Sequence, residues 1–212
     1  MISTLAITIL SLIVLLFSVI IHELAHGYVA YSLGDPTAKY EGRLTLNPLK
    51  HLDPFGSILL PLLLFIAGSP FLFGWAKPVP VNPYNFRDKK YGEIKVSIAG
   101  PASNLCLAIF FGLILRFIPY ETLSSNPGMA MALGYVVSIN IWLAMFNIIP
   151  IPPLDGSWIL FSLLPARLQG VRNFLKQYGV LILVLLILFA GSLWFTITSV
   201  LFQIITGHVL TL

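Results

Sequence analysis

The feature that most limits what this chain can become is the stretch Ile20-Ile21-His22-Glu23-Leu24-Ala25-His26-Gly27, placed at the end of an apolar run that begins near Leu5. On a helix, His22 and His26 stand one turn apart on the same face, close enough for two imidazoles to hold one metal ion, with Glu23 beside them. Their neighbours are Ile, Leu, Val and Phe, so these ionisable groups are not part of a solvated helix face. At hydrocarbon depth such groups are costly and are kept for function.

Composition agrees with that setting. Of 212 residues, 58% are hydrophobic and 9% charged, against about 25% charged in an ordinary soluble domain. The expected fold is an all-α polytopic membrane protein with about 4–6 transmembrane helices, lying in the lipid bilayer as a single domain over residues 1–212. The net charge of +4 comes from basic residues that flank apolar runs rather than form one patch, which argues for topology and against a nucleic-acid partner. Cys106 is the one cysteine, so no internal disulfide forms. The first 21 residues lack a basic start and an Ala-x-Ala site, and are not expected to be a signal peptide.

Along the chain, the first apolar run stops at Gly34-Asp35-Pro36. Tyr40 to Leu46 alternates as a short strand would, ahead of the turn-forming Asn47-Pro48. A second apolar run, Phe55 to Phe73, leads into Gly74 to Pro83, whose prolines exclude a regular helix. Irregular backbone at membrane depth survives only when buried in protein or facing a wet cavity. Further runs cover about Ile94 to Ile118, Met129 to Ile149 and Tyr178 to Ile205; the last, interrupted by Gly191-Ser192, is compatible with one tilted helix or a pair.

Two histidines leave a catalytic zinc ion one protein ligand short. Six of the eight acidic residues (Asp35, Glu41, Asp53, Asp88, Glu93 and Glu121) fall in polar connections. Besides Glu23 this leaves Asp155, between the run ending at Ile149 and more apolar sequence. A carboxylate there is costly unless it is held by a cation.

His22-Glu23-Leu24-Ala25-His26, taken with Asn147, Pro150 and Leu154-Asp155-Gly156, resembles the site-2 protease family of intramembrane zinc metalloproteases. His51-Leu52-Asp53-Pro54-Phe55-Gly56 and Ala99-Gly100-Pro101-Ala102-Ser103-Asn104 look like short members without PDZ or CBS domains, and the shared motifs span about residues 20–160. The resemblance implies one Zn2+ per chain on His22, His26 and Asp155, Glu23 as general base, and an oxyanion donor at Asn147. It also implies transmembrane proteins as substrates. His51 and Asp53 are weaker candidates, for substrate or water handling or for shaping their loop. Asn104 is expected either to bond backbone between helices or to act in catalysis.

For His22 and Asp155 to meet, the first run and the run 129–149 must point the same way. Residues 55–92 then start and finish on the metal side as a re-entrant hairpin, with short membrane-associated β segments at 40–46 and 75–81 offering an edge to an unwound substrate. That arrangement puts eleven of the twelve basic residues on the metal side and Arg116 alone opposite, which by the positive-inside rule sets the metal toward the cytoplasmic face of the cell membrane. A non-proteolytic zinc-binding transporter or scaffold is the rival; a transporter needs ionisable residues strung across the bilayer, whereas this chain offers one cluster.

Overall fold

The computed structural model describes residues 4–67 and 75–209. It is helical, with no sheet among the described residues. Among the described residues, four helices are long and apolar enough to cross a membrane: α1 (Thr4–Ser32), α4 (Gly92–Phe117), α6 (Pro127–Asn147) and α8 (Gln169–Thr206). Short helices α2 (Thr37–Tyr40), α3 (Leu60–Ile66), α5 (Tyr120–Ser125) and α7 (Asp155–Leu163) fill the connections. This is a multi-pass membrane protein.

α4 is the central element and touches α1, α6, α7 and α8. Small residues make that possible: Ala108 is fully buried, and a Cβ at Gly112 would overlap the Ile205 side chain of α8. In lipid, where helices gain no hydrophobic energy from meeting, such close backbone approach supplies the packing energy. Ala108, Leu115, Leu123, Val137, Ile141 and Phe202 form one core between α4, α5, α6 and α8. A second cluster, Ala30, Phe86 and Val96, ties the end of α1 to α4 and to the segment before it.

α1 ends where the sequence indicates. Gly34 adopts φ +105°, and the Asp35 and Gly34 amides donate back to the Ala30 and Tyr31 carbonyls at 2.9 and 3.0 Å, a two-bond closure of the last turn that favours glycine. Asp35 is fully buried. Its carboxylate accepts from the Asn82 amide at 2.7 Å and the Asn85 side chain at 2.8 Å, and from the Thr37 hydroxyl. One carboxylate thus fastens residues 82–85 to the end of α1.

The structure departs from the expected β segments. Residues 40–46 form no strand, because α2 runs into a turn at Gly42 (φ +63°) and the Arg43 amide returns to the Ala38 carbonyl. A local turn that glycine permits, with no partner strand alongside among the described residues, outweighs the alternation. Residues 75–81 are extended, but among the described residues they make a single antiparallel bridge, between Leu52 and Ala76, since Pro78 and Pro80 have no amide hydrogen for a ladder. That bridge, with the Lys77 amide on the His51 carbonyl and the Trp75 amide on the Gly56 carbonyl, brings the two ends of segment 53–75 together. Helical residues 54–66 lie between them; the tip of the expected hairpin, within residues 68–74, lies outside the described residues. The C-terminal run is one uninterrupted helix through Gly191-Ser192. A single interior glycine costs only about 1 kcal/mol against alanine, too little to break so long an apolar helix.

Candidate active site

α1 presents His22 and His26 on one face, both more than nine-tenths buried. Asp155 arrives from elsewhere: α6 stops at Asn147, the chain turns through Pro150, Pro152 and Pro153, and Asp155 opens α7. Gly156 allows this turn, because a Cβ there would strike the Ile148 carbonyl. The three ligand atoms converge. His22 Nε2 and His26 Nε2 are 3.0 Å apart, and Asp155 Oδ2 lies 3.0 Å from the first and 3.2 Å from the second.

The ring protons make this set informative. His26 Nδ1 faces the Val96 carbonyl at 2.7 Å and His22 Nδ1 faces Asn104 Oδ1 at 2.6 Å. Both partners are acceptors, so both Nδ1 atoms carry hydrogen, and in the neutral rings that leaves both Nε2 atoms as lone pairs. Asp155 Oδ2 is buried with no hydrogen-bond donor among the described residues. Three acceptors facing one another repel unless a cation lies between them. Donors about 2.0–2.2 Å from a tetrahedral zinc ion stand about 3.4 Å from one another, a few tenths of an ångström wider than seen here. Two nitrogens and a carboxylate oxygen are also ligands that zinc accepts. The residues fit the metal.

Two backbone features bring the site this close. A Cβ at Gly100 would lie 2.5 Å from His22 Nε2 and closer still to His26 Nε2, so α4 can pass behind the imidazoles only as glycine. Across the site the extended segment passes near α1, and the Val79 amide donates to Glu23 Oε2 at 2.7 Å. Arg43, almost fully buried, holds the same segment by donating to the Lys77 carbonyl at 2.7 Å.

Asn147 lines the same cavity of about 480 Å³ as His22, Glu23, His26 and Asp155. Its side-chain amide donates to the Leu143 carbonyl at 2.9 Å, within its own helix. His51 and Asp53 are not among the residues lining that cavity, and they do not bond each other. His51 Nε2 pairs with the Thr45 carbonyl at 2.8 Å, while Asp53 caps the next helical turn through the Phe55 and Gly56 amides. Both shape the loop. Asn104 is fully buried and bonds the His22 ring directly.

Sequence reasoning missed several groups. Glu93 was placed in a connection, yet it lies in the first turn of α4, lines the cavity and accepts from the Ser162 hydroxyl at 3.0 Å. The Val79 amide and the Val96 carbonyl carry no side-chain signal at all. Ser18 and Asn140 do carry one, being polar residues inside apolar runs on facing helices.

The sequence model of Peptidase family M50 matches residues 120–191, which include Asn147 and Asp155. Curated relatives extend the likeness over most of the chain. It is 44% identical over 186 residues to "Putative zinc metalloprotease YwhC" of Bacillus subtilis, covering 85% of this chain and 80% of that protein. It is 35% identical to "Putative zinc metalloprotease Rip2" of Mycolicibacterium smegmatis, covering 85% and 67%, and 33% identical to "Putative zinc metalloprotease MJ0611" of Methanocaldococcus jannaschii, covering 72% and 69%. No solved structure matches it. With relatives named as zinc metalloproteases along most of its length and a two-histidine, one-carboxylate set at its centre, the chain belongs to peptidase family M50, the zinc-dependent site-2 proteases.

Proposed function

We propose that the protein hydrolyses peptide bonds in or near transmembrane segments of other membrane proteins, as one domain over residues 1–212 with one zinc ion on His22, His26 and Asp155. The observation that carries this reading is the meeting of three lone-pair donors, two from α1 and one from the start of α7, beside a carboxylate in a cavity whose walls are otherwise largely apolar. Zinc, when bound, supplies Lewis acidity toward the scissile carbonyl and makes a nearby water easier to deprotonate.

The chain's own residues supply the rest. Glu23 takes the proton from the attacking water and returns it to the departing amine; the Val79 amide fixes the direction of its carboxylate. The Asn147 amide has two N–H donors and spends one on Leu143, leaving the other for the oxyanion. An extended substrate lies along residues 79–81, because a helical peptide bond is shielded by its own turn. Leu52 and Ala76, paired with each other, both belong to the metal side in this reading, as a re-entrant hairpin between them requires. The excess of basic residues in the connections on the metal side supports a site toward the cytoplasmic face of the cell membrane.

The deciding experiment uses purified protein with a model transmembrane substrate in vesicles. Cleavage is expected, abolished by chelator and by Glu23→Gln, with zinc content unchanged in that variant. Bound zinc with no cleavage of any transmembrane substrate would instead favour a zinc-binding transporter or scaffold.

A further inference from the structure

We infer that Asn140, which is remote from the cavity, is a positioning residue that acts through Asn104 to set the tautomer of His22, so that Nε2 is a lone pair before any metal arrives. This rests on His22 being a zinc ligand. Asn104 and Asn140 are fully buried and Ser18 nearly so, and they join α4, α6 and α1 in one directional chain. The Asn140 side-chain NH2 donates to the Val136 carbonyl at 2.8 Å and to Ser18 Oγ at 2.9 Å. Its oxygen accepts from the Asn104 NH2 at 2.8 Å, which also donates to the Ser18 carbonyl at 3.2 Å. The Asn104 oxygen is what remains for His22.

A side-chain amide can be turned end for end, and only its surroundings decide which end faces where. Here the deciding groups are the Val136 and Ser18 backbone carbonyls, which accept and never donate. Each must be met by an NH2, so both amides are oriented. Asn104 is left with its oxygen toward His22, and His22 must offer Nδ1–H. Turned the other way, Asn104 would call for a bare Nδ1, the hydrogen would move to Nε2, and the metal face of the ring would be closed. Without Asn140, Asn104 keeps only the longer contact to Ser18 as its key.

The test reads the tautomer by 15N NMR of the imidazoles in zinc-stripped protein, together with zinc affinity by competition with a chelating dye. Wild type is expected to show His22 with Nδ1–H and unprotonated Nε2; the opposite tautomer overturns the relay outright. In Asn140→Leu a mixed tautomer and about 10–100-fold weaker zinc binding are expected, the range typical of lost outer partners of a metal ligand. Asn140→Asp, whose neutral carboxyl can still donate to Val136 and accept from Asn104, should restore both. A purely structural Asn140 would lower the melting temperature of Asn140→Leu while leaving tautomer and affinity within about threefold of wild type, and that result overturns the proposal. If Asn140→Leu does not fold, Asn140→Ala is read in the same way against the same two outcomes. Zinc retained at full affinity in His22→Ala would sink the site reading itself, whereas zinc lost there but kept in Asn140→Leu sinks the relay alone.

Discussion

At the scale of single residues, the site depends on atoms that are absent as much as on those present. Gly100 is the clearest case, since any Cβ there enters the space of both imidazoles. Gly100→Ala should push the rings or α4 aside at a cost of about 1–3 kcal/mol, seen as zinc affinity at least about tenfold weaker by dye competition while the helical circular dichroism is kept. Val79 makes the complementary case through its backbone. Val79→Pro removes the N–H that aims Glu23 and should lower kcat up to about 100-fold with zinc content unchanged by atomic absorption. His22, Glu23, His26 and Asp155 were legible in the sequence because ionisable side chains in apolar runs are rare and need a reason. Val79 and Val96 were not, because what they contribute is backbone: any residue but proline carries the Val79 N–H, and every residue carries the Val96 carbonyl.

At the scale of elements, the fastening of residues 75–87 to α1 decides whether Glu23 is held. Burial pushes the Asp35 carboxyl up, but the Asn82 amide, the Thr37 hydroxyl and the Asn85 side chain outweigh it and hold the folded value below the ordinary 3.8. A carboxyl depressed in this way contributes stability that is fully present above pH 3.8 and is lost as pH falls through the lower folded value. Protection of the amides in residues 79–87, taken relative to their intrinsic exchange rates, should therefore be steady around neutrality and fall below about pH 4. Asp35→Asn, which sets an NH2 against the Asn82 amide, should cost about 1–3 kcal/mol and loosen the same residues already at pH 7. The long helices could be read from apolar length. The expected strand at 40–46 failed because alternation says which way side chains would point in a strand, whereas a strand also needs a partner, and Gly42 offered the chain a turn instead.

At the scale of the whole molecule, α1 and α7 are far apart in sequence and are joined at the site by three acceptors that repel without a cation. Zinc should therefore act as a fastener between them. Stripping it should lower the melting temperature of wild type and leave that of His22→Ala unmoved, as followed by intrinsic tryptophan fluorescence. Orientation is tested in inverted vesicles of a Cys106→Ala background, where an impermeant maleimide should label a cysteine at position 89 and not one at position 116. Meeting of distant ligands is the part of the account on which all else depends. X-ray absorption of the zinc-loaded protein, comparing wild type with Asp155→Ala, tests it most directly. Two imidazole nitrogens and one carboxylate oxygen at about 2.0–2.2 Å, with the oxygen shell altered in the variant, is the predicted result; a zinc shell identical in the two proteins would contradict it.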